Sequence, residues 1–192
     1  MLQIKRSLLV FIGLSLICGL IYPLLITVIS QIVFFTESNA SVIKKGDIII
    51  GSRQIGQFFA ASRYFHGRPS ASNLPYDAMN SGGSNLAPTS AKLLGEVKMR
   101  IEQVRRENGL PAGTPIPADL VLASASGLDP HISVEAALLQ APRIARERKI
   151  AAADIEKMIH RNTQYPFLGI WGKERVHVLN LNIALDNLRT KE

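Results

Sequence analysis

Apolar and polar positions divide this chain into an N-terminal block without charge and a longer, mixed remainder. No charged residue occurs from Ser7 to Thr36, and residues 8–35 are almost wholly apolar. A helix needs roughly 20 apolar residues to cross the hydrocarbon of a bilayer. The pattern therefore predicts one transmembrane helix over residues 8–35. A cleaved signal peptide is the alternative, but its apolar region would be shorter, about 7–15 residues.

The charges that flank this apolar block predict its orientation. Lys5 and Arg6 come directly before it, and the first charge after it is Glu37. Basic residues next to a membrane helix stay on the cytoplasmic side. We therefore expect residues 1–7 in the cytoplasm and residues 36–192 as a domain outside it.

Beyond the apolar block, the periodicity changes several times, which is typical of a mixed domain. Three segments repeat apolar residues every three or four positions, and three others are short apolar runs or alternate. Asp129 before Pro130 is a suitable start for the middle helix, and Pro142 should kink or split it. Helices are predicted for residues 90–108, 129–148 and 150–160, and strands for residues 47–50, 120–123 and 176–185. The fold class is therefore α+β, as one domain behind one membrane helix.

Two segments between these elements have a composition of their own. Residues 57–65 hold four aromatic side chains, and we expect them to begin the core. Residues 66–89 are rich in Pro, Gly, Ser and Asn, which predicts a long loop. Because long loops in compact domains are usually functional or disordered, we interpret this one as an ordered surface loop that contacts something.

Composition narrows the possible functions. The chain has 22 Lys and Arg against 15 Asp and Glu, and only 6% aromatic residues. No basic stretch is interleaved with aromatic residues, so nucleic-acid binding is not predicted. The basic surplus leaves open an anionic lipid surface, a partner with an acidic face, or an ordinary soluble surface. Cys18 is the single cysteine, which excludes an intramolecular disulfide.

Candidate chemistry concentrates around residues 124–131. Ser126, Asp129 and His131 have the side chains of a catalytic triad, but three members within six residues are too close in sequence to align as nucleophile, base and orienter. The four histidines are scattered, so no metal site is predicted. A Ser/Gly turn before a helix start could bind an anion through its N–H groups. A capped helix start after a tight turn is the simpler interpretation.

Several short phrases, in order, resemble one protein family. They are GLIYP at 19–23, GS at 51–52, IGQ at 55–57, YFHGRPS at 64–70, SGGSNL at 81–86, residues 119–133 and residues 176–186. The ordered set resembles the KdpC family, the C subunit of the bacterial high-affinity potassium-transporting P-type ATPase. Ala125 and Ser90 depart from the family's usual Gly and Asn.

The resemblance implies a non-catalytic accessory subunit in a bacterial inner membrane, with its domain in the periplasm. Its partners would be a channel-like potassium-translocating subunit, an ATP-hydrolysing P-type subunit and the lipid bilayer, and the chain would bind no metal. It would support assembly and stability, and could raise the ATP affinity of the hydrolysing subunit as a catalytic chaperone. The residues that the resemblance links with ATP are Ser124, Ser126, Gly127, Asp129, His131 and Gln140.

This ATP role conflicts with the predicted orientation, because ATP is cytoplasmic and the domain is expected outside. We therefore expect any effect on ATP affinity to be indirect. We also expect the domain to cap the extracellular mouth of the translocating subunit. The alternative function is an independent, membrane-anchored binding or enzymatic domain.

Overall fold

The computed structural model describes residues 2–72 and 74–188. The chain divides into two units, Met1–Ile50 and Gly51–Glu192, and each is presented by itself.

The first unit consists mainly of one long apolar helix. It comprises α1 (Leu2–Leu16), a π-helical turn (Ile17–Ile21) and α2 (Tyr22–Val33). Among the described residues, it is the one helix long and apolar enough to cross a membrane, which confirms the single helix predicted from the sequence. The Tyr22 N–H donates to the Ile17 carbonyl, five residues back, immediately before Pro23. Because proline lacks an N–H and crowds the preceding turn, this wider turn accommodates it within a continuous helix.

The remaining elements follow in a mixed order, and the second unit contains most of them. The first unit continues with α3 (Phe35–Ser38) and with β1 (Val42–Lys45), which pairs with β2 (Ile48–Ser52). Then come α4 (Ala91–Asn108), β3 (His131–Ile132), α5 (Val134–Arg148), α6 (Ala152–Arg161), β4 (Thr163–Gln164), β5 (Arg175–His177) and α7 (Val178–Leu188). Strands β3, β5 and β4 form an antiparallel sheet in that order, with His131 opposite His177. The α+β class is confirmed.

The core of the second unit lies among α5, α6, α7 and the three-stranded sheet. Ile144, Ile155, Leu181 and Val176, one from each of these elements, are completely buried. Phe65 is also completely buried, so the aromatic segment does reach the core, although Phe58 in the same segment stays 64% exposed.

The strand predicted for residues 176–185 is wrong for most of its length. Only β5 is extended, and helix α7 starts at Val178. Val178, Leu181 and Leu185 are buried, and their spacing of three and four residues places them on one helical face. Leu179, which breaks the strict alternation, is also buried.

The predicted start of the middle helix is also wrong. Ser133, not Asp129, caps α5, because the Ser133 hydroxyl accepts the N–H of Ala136 at 3.1 Å. Asp129 and Pro130 precede strand β3 instead. Helix α5 runs unsplit past Pro142, which lies on its exposed face. The strand predicted for residues 120–123 is absent, and a 3₁₀ turn over Ala118–Leu120 occupies its beginning.

Helices α4 and α6 lie where the sequence predicts them. Ser90 caps α4 through the N–H of Leu93, and Gly109 ends it in the left-handed conformation. The loop over residues 66–89 contains a single 3₁₀ turn, Ala78–Asn80, in its described part. This loop positions much of the candidate site.

Candidate functional site

The turn that holds Ser124, Ser126 and Gly127 packs against the long loop. The carbonyl of Ser126 accepts the Gly82 N–H at 2.9 Å and the Ser81 hydroxyl at 3.0 Å. The Ser70 hydroxyl donates to the Gly127 carbonyl at 2.9 Å. The turn is therefore one side of a contact within the domain, and it holds the loop in place through its carbonyls.

Gly127 needs to be glycine at this contact. Its φ of +68° lies in the left-handed region, which residues with a side chain rarely adopt. A Cβ there would also lie 2.8 Å from the carbonyl oxygen of Gly82. Ala125, where the family usually has Gly, is not among the described residues with positive φ.

Two amide groups of this turn are paired within it. The Gly127 N–H donates to the Ser124 carbonyl at 3.3 Å, and the Leu128 N–H donates to the Ser126 hydroxyl at 3.2 Å. The Ser124 and Ser126 hydroxyls lie 3.4 Å apart. An anion cradle requires N–H groups that point outward, and α5 starts six residues further on. The turn is therefore not a helix start, and two of its N–H groups are used within it.

Asp129 is the centre of a small charged cluster. Its carboxylate accepts the His131 N–H at 3.0 Å and Arg68 Nη1 at 3.1 Å, and His131 Nδ1 lies at 3.3 Å. Burial alone would raise the pKa of Asp129. The hydrogen bonds from His131 and the positive charge of Arg68 outweigh it and hold that pKa at about 2. Asp129 is therefore an ionised anchor for both neighbours.

His131 also contacts a second histidine across the sheet. The ring centroids of His131 and His177 lie 5.1 Å apart, edge to face. His177 Nε2 lies 2.8 Å from the Arg53 carbonyl oxygen. Burial lowers the pKa of His177, so the buried ring is neutral near pH 7. The His131 ring thus packs between Asp129 and His177, while the Ser126 hydroxyl bonds the Leu128 amide instead of a histidine.

Gln140 lies elsewhere, on α5, and its amide is fully engaged. Its Oε1 accepts the His66 N–H at 2.8 Å, and its Nε2 donates to the His66 carbonyl at 3.1 Å. Nε2 also donates to the Ala136 carbonyl, and Oε1 accepts Arg143 Nη2 at 2.9 Å. A side-chain amide offers two donors and one acceptor oxygen, so no polar atom of Gln140 is left for a ligand.

Arg143, one turn along α5, is a buried hub for the same segment. Only 3% of it is exposed. Its guanidinium donates to Asn108 Oδ1 at 3.0 Å, to the Tyr64 carbonyl at 3.1 Å and to the Ser62 carbonyl. Burial lowers the pKa of Arg143, but an arginine stays protonated at neutral pH. The positive charge is thus stabilised by oxygen acceptors, two of which are carbonyls of the segment before the long loop.

These groups line two different cavities. Asp129 and His131 line a cavity of about 890 Å³, together with residues 115–119 and 173–175. Gln140 and His66 line another of about 350 Å³, and Arg68 borders both. Burial, followed by the charge of Arg143, lowers the pKa of His66. The six residues linked with ATP are therefore spread over three places: the turn at 124–127, the charged cluster around Asp129, and the buried side chain of Gln140.

Within residues 2–72 and 74–188, no three His, Cys, Asp or Glu side chains lie close enough together to hold a metal ion.

Sequence reasoning missed three residues that organise these groups. Arg68 pairs with Asp129, His177 packs on His131, and Arg143 joins Gln140. Arg143 follows Gln140 by three positions, a spacing that places both on one helical face, so that signal was present. The partners of Arg68 and His177 are far away in sequence, and no local pattern indicates them.

Comparison with known proteins gives the family. The family model described as KdpC, K⁺-transporting ATPase, c chain, matches residues 4–187. The chain belongs to the KdpC family. The KdpC match includes both the apolar helix and the second unit.

Individual relatives agree with this family over nearly their whole length. The Potassium-transporting ATPase KdpC subunit of Mycobacterium tuberculosis is 45% identical over 186 residues, covering 97% of this chain and 98% of that protein. The protein of the same name from Janthinobacterium sp. is 48% identical over 184 residues, covering 95% and 96%. That of Methylobacterium nodulans is 46% identical over 204 residues, covering 100% of both.

Proposed function

We propose that this chain is a non-catalytic accessory subunit of an ATP-driven potassium uptake complex. The observation that carries the proposal is the KdpC family match over residues 4–187. Its partners would be a channel-like subunit that translocates potassium and a P-type subunit that hydrolyses ATP. The chain would contribute to the assembly and stability of the complex.

The apolar helix supports a role within a membrane complex. None of the residues in α1, the π-helical turn or α2 is buried by the rest of the chain. Such a surface needs lipid or other membrane helices around it. The helix would lie in the bacterial inner membrane and pack against the larger subunits.

The domain would lie outside the cytoplasm and cap the extracellular mouth of the translocating subunit. Lys5 and Arg6, in the first turns of α1 ahead of its uncharged stretch, and Glu37 beyond α2 support this orientation through the preference of basic residues for the cytoplasmic side. In this proposal residues 1–7 are cytoplasmic, residues 8–35 cross the membrane and residues 36–192 form the outer domain.

An effect on ATP affinity would then be indirect, through the membrane helices. Two observations support this form of the proposal. Gln140 uses its whole amide within the domain. Arg68, which borders both cavities, is already paired with the Asp129 carboxylate.

A pull-down of the full-length, tagged chain from its own membranes tests the subunit role. After mild detergent extraction, we expect two larger membrane proteins to co-purify and the eluate to hydrolyse ATP in response to potassium. A stable monomer without partners would contradict the proposal and favour an independent anchored domain.

A further inference from the structure

An exposed apolar turn connects strands β4 and β5. We call residues 165–171 the apolar tip. Its large side chains are exposed by 67% (Tyr165), 70% (Phe167), 71% (Leu168), 74% (Ile170) and 63% (Trp171). Single exposed apolar residues are ordinary on protein surfaces. Five within seven residues form a patch of the kind that marks an interaction site.

The backbone of the apolar tip is paired with itself. The Phe167 and Trp171 N–H groups donate to each other's carbonyls at 2.9 and 3.1 Å. The Gly169 N–H donates to the Pro166 carbonyl at 3.0 Å, and the Ile170 N–H to the Phe167 carbonyl at 3.1 Å. Unpaired peptide groups are costly away from water. These four amides therefore need no water as a hydrogen-bond partner.

Charges on either side of the apolar tip favour an anionic surface. No charge occurs from Asn162 to Gly172, and the nearest charged residues are Arg161, Lys173, Glu174 and Arg175. Three of these four are basic. Tyr and Trp favour the boundary between membrane and water, and basic residues beside it are attracted to anionic headgroups. The tip thus combines the aromatic and the cationic features of an interfacial anchor.

The size of the apolar tip favours a lipid surface over a protein partner. A buried aromatic side chain contributes roughly 150–250 Å², so the tip offers about 500–700 Å². Each partner in a stable protein complex buries about 800 Å². A bilayer surface requires no matching shape and can surround side chains that are exposed on every side of a turn.

The chain also tethers the second unit, which carries the apolar tip, to the membrane helix. Residues 34–50 connect the end of α2 to the second unit, and even fully extended they span at most about 60 Å. Tethering of this kind raises the effective concentration of a weak binding site. Modest affinity for lipid is then sufficient for the tip to be bound much of the time.

We propose that the apolar tip inserts into the headgroup region of the bilayer that holds α1 and α2. The tip is a second, reversible membrane contact that limits the motion of the domain on its linker. This inference depends on a membrane anchor but not on which side the domain occupies, nor on the identity of the partner subunits.

Trp171 makes the test direct, because it is the only tryptophan in the chain. The full-length protein is reconstituted into vesicles of phosphatidylcholine mixed equally with phosphatidylglycerol. We expect the emission of Trp171 to be blue-shifted. Lipids brominated near the headgroup should quench this emission, and aqueous acrylamide should quench it only weakly. Emission quenched by acrylamide and untouched by brominated lipid would overturn the proposal.

Variants separate insertion from a general surface effect. Leu168→Asp combined with Ile170→Asp should abolish quenching by brominated lipid, while far-UV circular dichroism stays unchanged because both positions are exposed. Met79→Asp is the matched control, because Met79 is 93% exposed and lies outside the tip. In this variant, brominated lipid should quench Trp171 emission as strongly as in the parent protein. Equal quenching in the double variant would contradict insertion.

A protein contact is the remaining outcome. If Trp171 becomes shielded only when the two larger subunits are reconstituted with the chain, and brominated lipid never quenches it, then the apolar tip docks on protein. That result would reject the lipid contact and leave the subunit role intact.

Discussion

Gln140 binds both backbone polar groups of His66, accepting its N–H at 2.8 Å and donating to its carbonyl at 3.1 Å. Asn182 on α7 holds the preceding residue in the same way, through the N–H of Phe65 at 2.9 Å and its carbonyl at 3.0 Å. Side-chain amides from two helices thus pair with the backbones of two consecutive residues, as the backbone of a neighbouring β-strand would. This double clamp fixes the point where the long loop leaves the core.

Gln140→Leu should destabilise the domain by about 2–3 kcal/mol, because the polar groups of His66 lose their partners while remaining largely away from water. Denaturant unfolding of the full-length protein in detergent, followed by circular dichroism, measures this loss. Gln103→Leu is the control, because Gln103 is exposed and its side chain bonds Glu107 at the surface of α4; it should change stability by less than about 0.5 kcal/mol. Equal effects of the two substitutions would contradict the clamp.

Arg143→Met should lower the free energy of unfolding further, by about 3–4 kcal/mol, because the buried oxygen acceptors around its guanidinium lose their donor. Arg106→Met, at an exposed position of α4, provides the comparison under the same conditions. Arg143→Lys should recover only part of the loss, since an ammonium cannot reproduce the planar fork. Full recovery by lysine would show that charge alone matters there.

Gly56→Ala should also destabilise the domain, by about 1–3 kcal/mol. A Cβ at Gly56 would lie 2.7 Å from Cδ1 of Tyr76 and 2.9 Å from the Asp129 carbonyl oxygen, so the loop would have to move away from the charged cluster. Gly82→Ala, where a Cβ would meet nothing within 4 Å, should be neutral. The same unfolding experiment compares the two, and a neutral Gly56→Ala would indicate that the loop is not held against Asp129.

Stability should fall as the pH is lowered from 7 to 5. Burial lowers the pKa of His177 and of His66 in the folded protein, whereas a histidine in the unfolded chain titrates near about 6.5. Below that value the unfolded state binds more protons, so stability is lost as pH falls toward the folded pKa. Asp129, with a folded pKa of about 2, loses its contribution only at lower pH.

His177→Gln tests the assignment of this pH dependence. The variant should flatten the dependence of the free energy of unfolding on pH between 7 and 5, although its stability at neutral pH will be lower. A His177→Gln slope as steep as that of the parent would exclude His177 as a source.

Local signals determined which elements the sequence could predict. Helix α4 carries its boundaries in its own residues, with Ser90 as cap and Gly109 as stop. The segment of α7 fits alternation and a helical face almost equally, and its helical state depends on packing of Leu181 and Leu185 in the core. Local periodicity alone does not include that packing.

The candidate site divides in the same way. Asp129 and His131 are close together because they are only two positions apart in sequence, so the sequence predicts their proximity. The role of Gln140 depends on His66, 74 positions away, and the clamp appears only when α5 packs beside that segment. The sequence therefore indicates the residues of the site more readily than their structural roles.

The location of the domain decides whether its residues can reach ATP, and thiol labelling measures it most directly. Cys18 is the only cysteine, so Cys18→Ser with Met79→Cys presents one thiol on an exposed loop position. We expect a membrane-impermeant maleimide to label it in intact cells, and to label Gln3→Cys in the same background only after permeabilisation. Labelling of Met79→Cys only after permeabilisation would place the domain in the cytoplasm and contradict the proposed orientation.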